Sequence, residues 1–121
     1  MHYVVTQFVE GESLRVRLKR EVALAQPEAI RIALLVAEAL EHAHRHHVIH
    51  RDIKPENIVA GPEGRVSLLD FGVARLLSHT GQRAYTQTGT FHYMSPELVS
   101  QGLATAQTDL WSLGVTLYEM L

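Results

Sequence analysis

Near the middle of the chain the sequence reads His50-Arg51-Asp52-Ile53-Lys54-Pro55-Glu56-Asn57. Pro55 keeps this polar run from forming a helix, because proline lacks the amide hydrogen that a helix interior requires. Two short apolar runs follow at 58–60 and 65–69, and the turn residues between them predict a β-hairpin. Asp70-Phe71-Gly72 ends the second strand. A hairpin returns the chain to its starting point, so we expect Asp52, Asn57 and Asp70 to converge on one spot.

The side chains of this predicted cluster suit one kind of chemistry. Asp52, Asn57 and Asp70 offer two carboxylates and one amide oxygen, which are hard ligands of the type that Mg²⁺ prefers. Lys54 adds a cation beside them. Phosphoryl transfer requires a proton acceptor, charge neutralisation and a metal clamp, and these residues can supply all three.

The composition is that of a globular chain. It has 121 residues, 46% of them hydrophobic and 20% charged, with a formal net charge of −2 and no cysteine. The lack of a basic surplus argues against nucleic acid as a partner, and the lack of cysteine excludes a disulfide framework. The longest apolar run, 32–37, is far shorter than the roughly 20 residues of a spanning helix. We therefore predict a cytoplasmic location with no membrane segment in this chain, leaving open an anchor elsewhere.

Together with two later motifs, the central pattern resembles the eukaryotic-type (Hanks-type) serine/threonine protein kinases. The stretch at 50–57 matches the catalytic loop of this family, and 70–72 matches its magnesium loop. Ser95-Pro96-Glu97 stands in place of Ala-Pro-Glu, and Asp109-Leu110-Trp111-Ser112-Leu113-Gly114 resembles the start of the central C-lobe helix. The resemblance covers essentially all 121 residues, and the residues after Gly72 resemble those of bacterial members.

This resemblance implies an α+β protein-kinase-like fold, of which the chain holds the hinge and the first half of the mainly helical C-lobe. Residues 1–12 would form the last N-lobe strand and the hinge. Residues 13–121 would form a C-lobe part with the catalytic loop, magnesium loop, activation segment and start of the central helix. The glycine-rich loop and the strand lysine of the family are not among these residues, so we expect the chain alone to be inactive.

The resemblance also implies a role for each matching residue. Asp52 would accept the proton of the substrate hydroxyl, and Lys54 would steady the transferred phosphoryl group. Asn57 and Asp70 would bind magnesium, and both belong to the predicted ATP site, as does Glu56. Thr6 would be the gatekeeper beside the adenine pocket. The backbone of Gln7 and Val9 would read the adenine edge, with Val59 beneath the base.

Regulation is implied by Arg51, because an arginine directly before the catalytic aspartate is typical of kinases whose phosphorylated activation loop pairs with it. Thr86 and Thr88 are the candidate phosphosites, with Ser78, Thr80 and Tyr85 behind them. The alternative for these residues is a merely polar loop.

The predicted function is therefore that of a serine/threonine protein kinase in signal transduction. It would use ATP and Mg²⁺, and it would act on serine or threonine hydroxyls of a protein substrate. The alternative is a nucleotide-binding pseudokinase or a scaffolding fragment that works by interaction. Intact Asp52, Asn57 and Asp70 favour the enzyme.

Local patterns predict the elements around these motifs. Residues 3–9 are β-branched and aromatic, which favours a strand. Ser13 is a predicted N-cap for a helix to about Leu24, and Pro27 opens a second helix that runs to about His44. Residues 76–93 are predicted to form a long loop and 109–121 a third helix. The predicted core includes Met94, Trp111 and Leu117.

Two further groups of side chains leave alternatives open. His42 and His46 lie one helical turn apart and could chelate zinc or nickel, or they could be solvated histidines at a helix end. The resemblance assigns His50 a packed structural role under the magnesium loop. Glu97 would lack the basic partner that the family provides, and would then meet water, another cation such as Arg75 or Arg83, or a proton.

Overall fold

The computed structural model describes residues 5–71 and 90–121 of the chain. The elements in chain order are β1 (Glu12–Ser13), α1 (Leu14–Glu21), α2 (Gln26–Arg45), β2 (Ile58–Ala60), β3 (Val66–Leu68), α3 (Pro96–Gln101) and α4 (Ala106–Met120). Single 3-10 turns cover Pro55–Asn57, Pro62–Gly64 and Thr90–Tyr93. Within the described residues, no helix has the length and apolar character needed to cross a bilayer.

Local sequence explains where the first two helices begin and end. Ser13 caps α1 by accepting a hydrogen bond from Val16 N at 3.3 Å, as predicted. The helix ends at Glu21 rather than near Leu24, because Val22 has a positive φ of 67° with a ψ of −51°, which cannot continue an α-helix. In α2, Pro27 lies in the first turn, where its missing amide hydrogen costs nothing, and this confirms the predicted start.

The predicted hairpin is confirmed as part of a three-stranded antiparallel sheet in the order β1-β2-β3. In the hairpin Ile58 lies opposite Leu68, and on the other edge of β2 Ser13 lies opposite Val59. Below the hairpin, Leu69 N donates to Asn57 O at 2.8 Å. Asp70 therefore directly follows a residue that is hydrogen-bonded to Asn57, the last residue of loop 50–57.

One hydrophobic core joins the sheet to the helices. Its buried members are Leu14, Leu18, Leu24, Ala29, Ile32, Val36, Leu40, Ile53, Ile58, Leu113 and Met120. Burial of one such aliphatic side chain contributes about 1.5–3 kcal/mol. Ile53 belongs to loop 50–57, so the same core that stabilises the fold anchors this polar loop from its inner side.

Two predicted elements differ from the structure. Residues 5–10 form no regular element, and the Phe8 side chain is 88% exposed, so the strand prediction is wrong for 5–9. No described strand pairs with these residues, and an unpaired strand has no stabilising ladder. Tyr3 and Val4 lie outside the described residues. The predicted loop at 76–93 ends in the 3-10 turn Thr90–Tyr93, and its earlier part also lies outside them.

The last helix begins earlier than predicted, at Ala106 rather than Asp109. Thr105 and Thr108 form a reciprocal capping box, in which threonine takes the place that glutamate or glutamine usually holds. Trp111 was predicted in the core but is half exposed, because α4 turns its Leu113 side toward the core instead. Leu117 packs against the core as predicted, and Met94 is partly buried.

Gly11 is the position where β1 depends most directly on glycine. A Cβ atom there would lie 2.4 Å from Ala60 O and 2.8 Å from Val59 Cγ1, and φ is +141°. We expect Gly11→Ala to lower the free energy of unfolding by about 2–3 kcal/mol, the usual cost of backbone strain with overpacking. Urea denaturation measures this. Gly114→Ala is the control, because its Cβ meets open space in α4 and should stabilise the chain by about 0.5–1 kcal/mol. Equal effects of the two substitutions would contradict the prediction.

Candidate active site

Loop 50–57 is held from below by Asp109, a carboxylate buried at the start of α4. Its side chain is 1% exposed. Oδ2 accepts from His50 N at 2.9 Å, and Oδ1 accepts from Arg51 N at 2.8 Å. Arg51 has a φ of 74°, a left-handed conformation that is strained for arginine. The two hydrogen bonds that Asp109 accepts thus stabilise the strained backbone conformation of Arg51, directly before Asp52.

His44 is a third partner of Asp109 that sequence reasoning missed. Its Nε2 lies 2.8 Å from Asp109 Oδ2, so the end of α2 is joined to the start of α4. The residue belongs to the histidine-rich run, and nothing in that run marks it out from its neighbours. The ring centroids of His42 and His46 lie 4.5 Å apart, with the rings tilted by 39°. His46 Nδ1 lies 2.8 Å from His42 O. Within residues 5–71 and 90–121, no three His, Cys, Asp or Glu side chains form a metal-binding group.

The His50 ring lies fully buried between the two halves of the site. Its Nδ1 accepts from Asp52 N at 3.2 Å, so Nε2 carries the proton and donates to Leu69 O at 2.8 Å. The His50 ring also packs edge-to-face against the Phe71 ring, with 4.6 Å between the ring centroids. Burial lowers the pKa of His50, against the opposing effects of the Leu69 carbonyl and the nearby carboxylates, so the ring is neutral at neutral pH. His50 thus joins loop 50–57 to Asp70-Phe71, the packed role that the resemblance implied.

Two side chains of loop 50–57, those of Asn57 and Lys54, contact the Asp52 carboxylate. Asn57 Nδ2 donates to Asp52 O at 2.8 Å and to Asp52 Oδ2 at 3.1 Å. Lys54 Nζ also lies 3.1 Å from Oδ2. The other carboxylate oxygen, Oδ1, is buried and has no hydrogen-bond partner among the described residues. A buried acceptor of this kind is rare in folded proteins and indicates a group awaiting a donor.

Asn57 and Asp70 suit a cation next to this carboxylate. Because Asn57 uses its amide nitrogen toward Asp52, its amide oxygen is the atom left to face a metal. Asp70 is exposed and has a φ of 61°, directly after Leu69, whose N–H is bonded to Asn57 O. One carboxylate and one amide oxygen fit a Mg²⁺ ion that takes its remaining ligands from phosphate and water.

The predicted ATP-site residues lie at different places in the fold. Val59 is buried in β2, beside the close approach of Gly11. Thr6 and Gln7 are exposed, and Val9 is partly buried. Glu56 contacts Arg15, with 2.9 Å between Glu56 Oε1 and Arg15 Nε. The predicted sites at Gly72, Ser78, Thr80, Tyr85, Thr86 and Thr88 lie outside the described residues.

The Ser95-Pro96-Glu97 motif opens α3. Ser95 is fully buried and caps the helix by accepting from Leu98 N at 3.4 Å, a bond that alanine could not make. The Ser95 hydroxyl, the Glu97 backbone and Thr108 lower the pKa of Glu97, so this carboxylate stays ionised. The lowered pKa favours the ionised form over proton uptake, and the Glu97 side chain is partly exposed to water. Arg75 and Arg83 lie outside the described residues.

Comparison with known proteins places this site in context. The family model for the protein kinase domain matches residues 1–121. A probable serine/threonine-protein kinase PknB of Lactococcus lactis is 39% identical over 120 residues, which are 98% of this chain and 19% of the relative. Serine/threonine-protein kinase PrkC of Bacillus subtilis is 38% identical over 122 residues, which are 100% of this chain and 19% of the relative.

A eukaryotic relative shows a similar level of identity. Human ribosomal protein S6 kinase alpha-2 is 38% identical over 119 residues, which are 98% of this chain and 16% of the relative. The chain thus spans about a fifth of the length of the relatives it matches.

Proposed function

Because this chain belongs to the protein kinase family, as its motifs predicted, we propose that the whole protein transfers the γ-phosphoryl group of ATP to serine or threonine hydroxyls of a protein substrate. The mainly helical α+β arrangement is a part of the protein-kinase fold. The observation that carries the proposal is Asp52, whose carboxylate has one oxygen held by Asn57 and Lys54 and the other left without a partner.

Asp52 is the proposed proton acceptor. Its Oδ2 is fixed by Asn57 Nδ2 and Lys54 Nζ at 3.1 Å each, so the carboxylate cannot turn away from the site. Oδ1 is then the atom that takes the proton of the substrate hydroxyl. The hydroxyl oxygen attacks the γ-phosphorus at the same time, and the bond between the γ-phosphorus and ADP breaks. Lys54, whose Nζ lies 3.1 Å from Asp52 Oδ2, would stabilise the transferred group with its positive charge.

Asn57 and Asp70 would hold the metal through one amide oxygen and one carboxylate. Magnesium, when bound, neutralises the charge of the ATP phosphates and orients them for in-line attack. The protein's own contribution is to keep both ligands in place. The bond from Leu69 N to Asn57 O and the His50 bond to Leu69 O join the two loops that carry them.

The division into a hinge part at 1–12 and a C-lobe part at 13–121 belongs to the same proposal, and so does a cytoplasmic location of this segment. Gln7 and Val9 would meet the adenine edge, and Glu56 would lie near the ATP site. Buried Val59 would lie beneath the base. Thr86 and Thr88 are the proposed phosphosites, for which the positive-φ Arg51 would supply the cation.

Incubation with γ-³²P-ATP and Mg²⁺ tests the proposed function. We expect the whole protein to label a general acceptor such as casein on serine or threonine, as acid hydrolysis and phosphoamino-acid analysis would show. The labelling should vanish when Mg²⁺ is chelated, because the metal neutralises the transferred charge. A protein that binds ATP but transfers no label would contradict the proposal and support the pseudokinase alternative.

A further inference from the structure

A single guanidinium, that of Arg15 on α1, joins four separate segments of the fold. Its Nε donates to Glu56 Oε1 at 2.9 Å, and its Nη2 donates to Glu119 Oε2 at 3.2 Å. Nη1 donates to the other oxygen of Glu119, and Nη2 also contacts the Tyr93 hydroxyl. The Tyr93 hydroxyl donates to Glu119 Oε2. We refer to Arg15, Glu56, Tyr93 and Glu119 as the Arg15 cluster.

The Arg15 cluster is partly buried and uses geometry that only arginine provides. The Arg15 side chain is 24% exposed, and Tyr93 is buried. Burial acts to raise the pKa of Glu119, but the bonds from Arg15 and Tyr93 outweigh it and lower that pKa, so the carboxylate stays ionised. A planar fork can bind both oxygens of one carboxylate and still reach a second one, whereas a lysine ammonium acts as a point charge.

One arm of the cluster leads to the proton acceptor. Glu56 belongs to the 3-10 turn Pro55–Asn57, and Asn57 N closes this turn on Lys54 O at 3.0 Å. The next side chain, Asn57, then holds Asp52 through two hydrogen bonds. Whatever fixes Glu56 therefore also limits the movement of Asn57 and Asp52.

The other arm leads to the segment that precedes α3. Tyr93 is held at both ends, because its carbonyl oxygen accepts from Ser112 Oγ at 2.5 Å while its hydroxyl lies in the Arg15 cluster. Ser112 and Glu119 both belong to α4. Arg15 thus connects the loop of Asp52 and the Tyr93 turn to the same helix.

We propose that Arg15 is a positioning residue for phosphoryl transfer. It holds the Asp52 loop through Glu56 and the Tyr93 turn through the Tyr93 hydroxyl, and so fixes the positions of both relative to α4. This inference rests on the proposed function. Arg15 touches none of the reacting groups, so it acts on the rate only through the placement of Asp52 and Asn57. Misplacement of a catalytic group by about 1 Å can cost about 100-fold in rate.

The chain offers a matched control on the same helix. Arg17 also binds two carboxylates, with 3.1 Å from Nε to Glu21 Oε1 and 2.7 Å from Nη1 to Glu28 Oε1. Its side chain is 19% exposed, close to the value for Arg15. Both of its partners lie outside the site, on α1 and α2. Arg17→Lys therefore removes a similar fork without touching the catalytic loop.

The experiment compares Arg15→Lys with Arg17→Lys in the whole protein. We expect Arg15→Lys to lower kcat by about tenfold or more at saturating ATP, and Arg17→Lys to change it by less than about twofold. Hydrogen exchange measured on peptides that cover 53–57 should accelerate in Arg15→Lys alone, because the Asn57 amide loses protection. If Arg15→Lys fails to fold, Glu56→Gln removes the same connection at a half-exposed position and should change kcat and exchange in the same direction.

The outcomes separate this inference from the proposed function. An active wild type with an equally active Arg15→Lys variant overturns the positioning role and leaves the kinase proposal standing. Equal losses of kcat in both lysine variants also overturn it, since general destabilisation then explains them. If the wild type transfers no phosphate, the proposed function fails, and hydrogen exchange is then the only test of the role of Arg15. Equal hydrogen exchange at 53–57 in the two lysine variants would overturn the inference.

Discussion

Asp52→Asn should abolish phosphoryl transfer by the whole protein while leaving its affinity for Mg²⁺-ATP nearly unchanged. The substitution removes the free carboxylate oxygen that would take the proton, and it replaces the negative partner of Lys54. General-base removal and loss of positioning together predict a fall in kcat of about 10³-fold or more. Label transfer from γ-³²P-ATP measures the rate, and calorimetric titration with Mg²⁺-ATP measures the affinity.

Asp70→Asn is the informative counterpart, because it should abolish turnover for a different reason. Loss of a metal ligand should weaken magnesium-dependent nucleotide binding by at least about tenfold. Nucleotide binding without magnesium should change little. Glu38→Gln, an exposed carboxylate of α2, is the neutral control. Equal losses of affinity in Asp52→Asn and Asp70→Asn would show that the two aspartates do not divide proton acceptance and metal binding between them.

Asp109→Ala should be among the most destabilising substitutions in the described part of the chain. The buried carboxylate satisfies His50 N, Arg51 N and His44 Nε2, and its removal leaves all three without this acceptor. Breaking a buried charged network of this kind costs about 3–5 kcal/mol. Urea denaturation of wild type and variant measures the change in the free energy of unfolding. If the alanine variant does not fold, Asp109→Asn should show a smaller loss, since it keeps the shape and one acceptor oxygen.

Glu41→Ala is the control for this prediction. Glu41 pairs with Arg45 one helical turn away at 2.6 Å, and both side chains are mostly exposed. Such surface pairs contribute about 0.3–0.5 kcal/mol. A loss in Asp109→Ala no larger than the loss in Glu41→Ala would mean that the bonds to His50 and Arg51 do not stabilise the fold.

Much of the site could be predicted because its signals are local in sequence. Pro55 and the hairpin turn determine backbone shape within a few residues, and they bring Leu69 back to Asn57. Ser13 predicted the start of α1 because an N-cap acts within one helical turn. The capping box at Thr105 was missed because its fourth residue is an unusual threonine, and this shifted the predicted start of α4.

The strand prediction at 5–9 failed for a different reason. β-branched and aromatic residues favour an extended backbone, but a strand is stabilised only by pairing with another strand. None of the described strands pairs with these residues, and Phe8 faces solvent. Propensity is a property of the segment alone, whereas pairing depends on the rest of the fold.

By itself the sequence determined the family, the α+β class, the hairpin and the identity of the residues around Asp52. These follow from residue types at short separations, where backbone geometry leaves few alternatives. Only the tertiary structure decided which partners hold them: His44 and Asp109 are 65 residues apart, and Arg15 and Glu119 are 104 apart. Many arginines, histidines and glutamates could pair at such distances, and hydrogen bonds form only where packing of the core brings two of them together. The buried hydrogen bonds that hold the Asp52 loop are therefore determined by packing, whereas the chemistry of the loop is determined by residues adjacent in sequence.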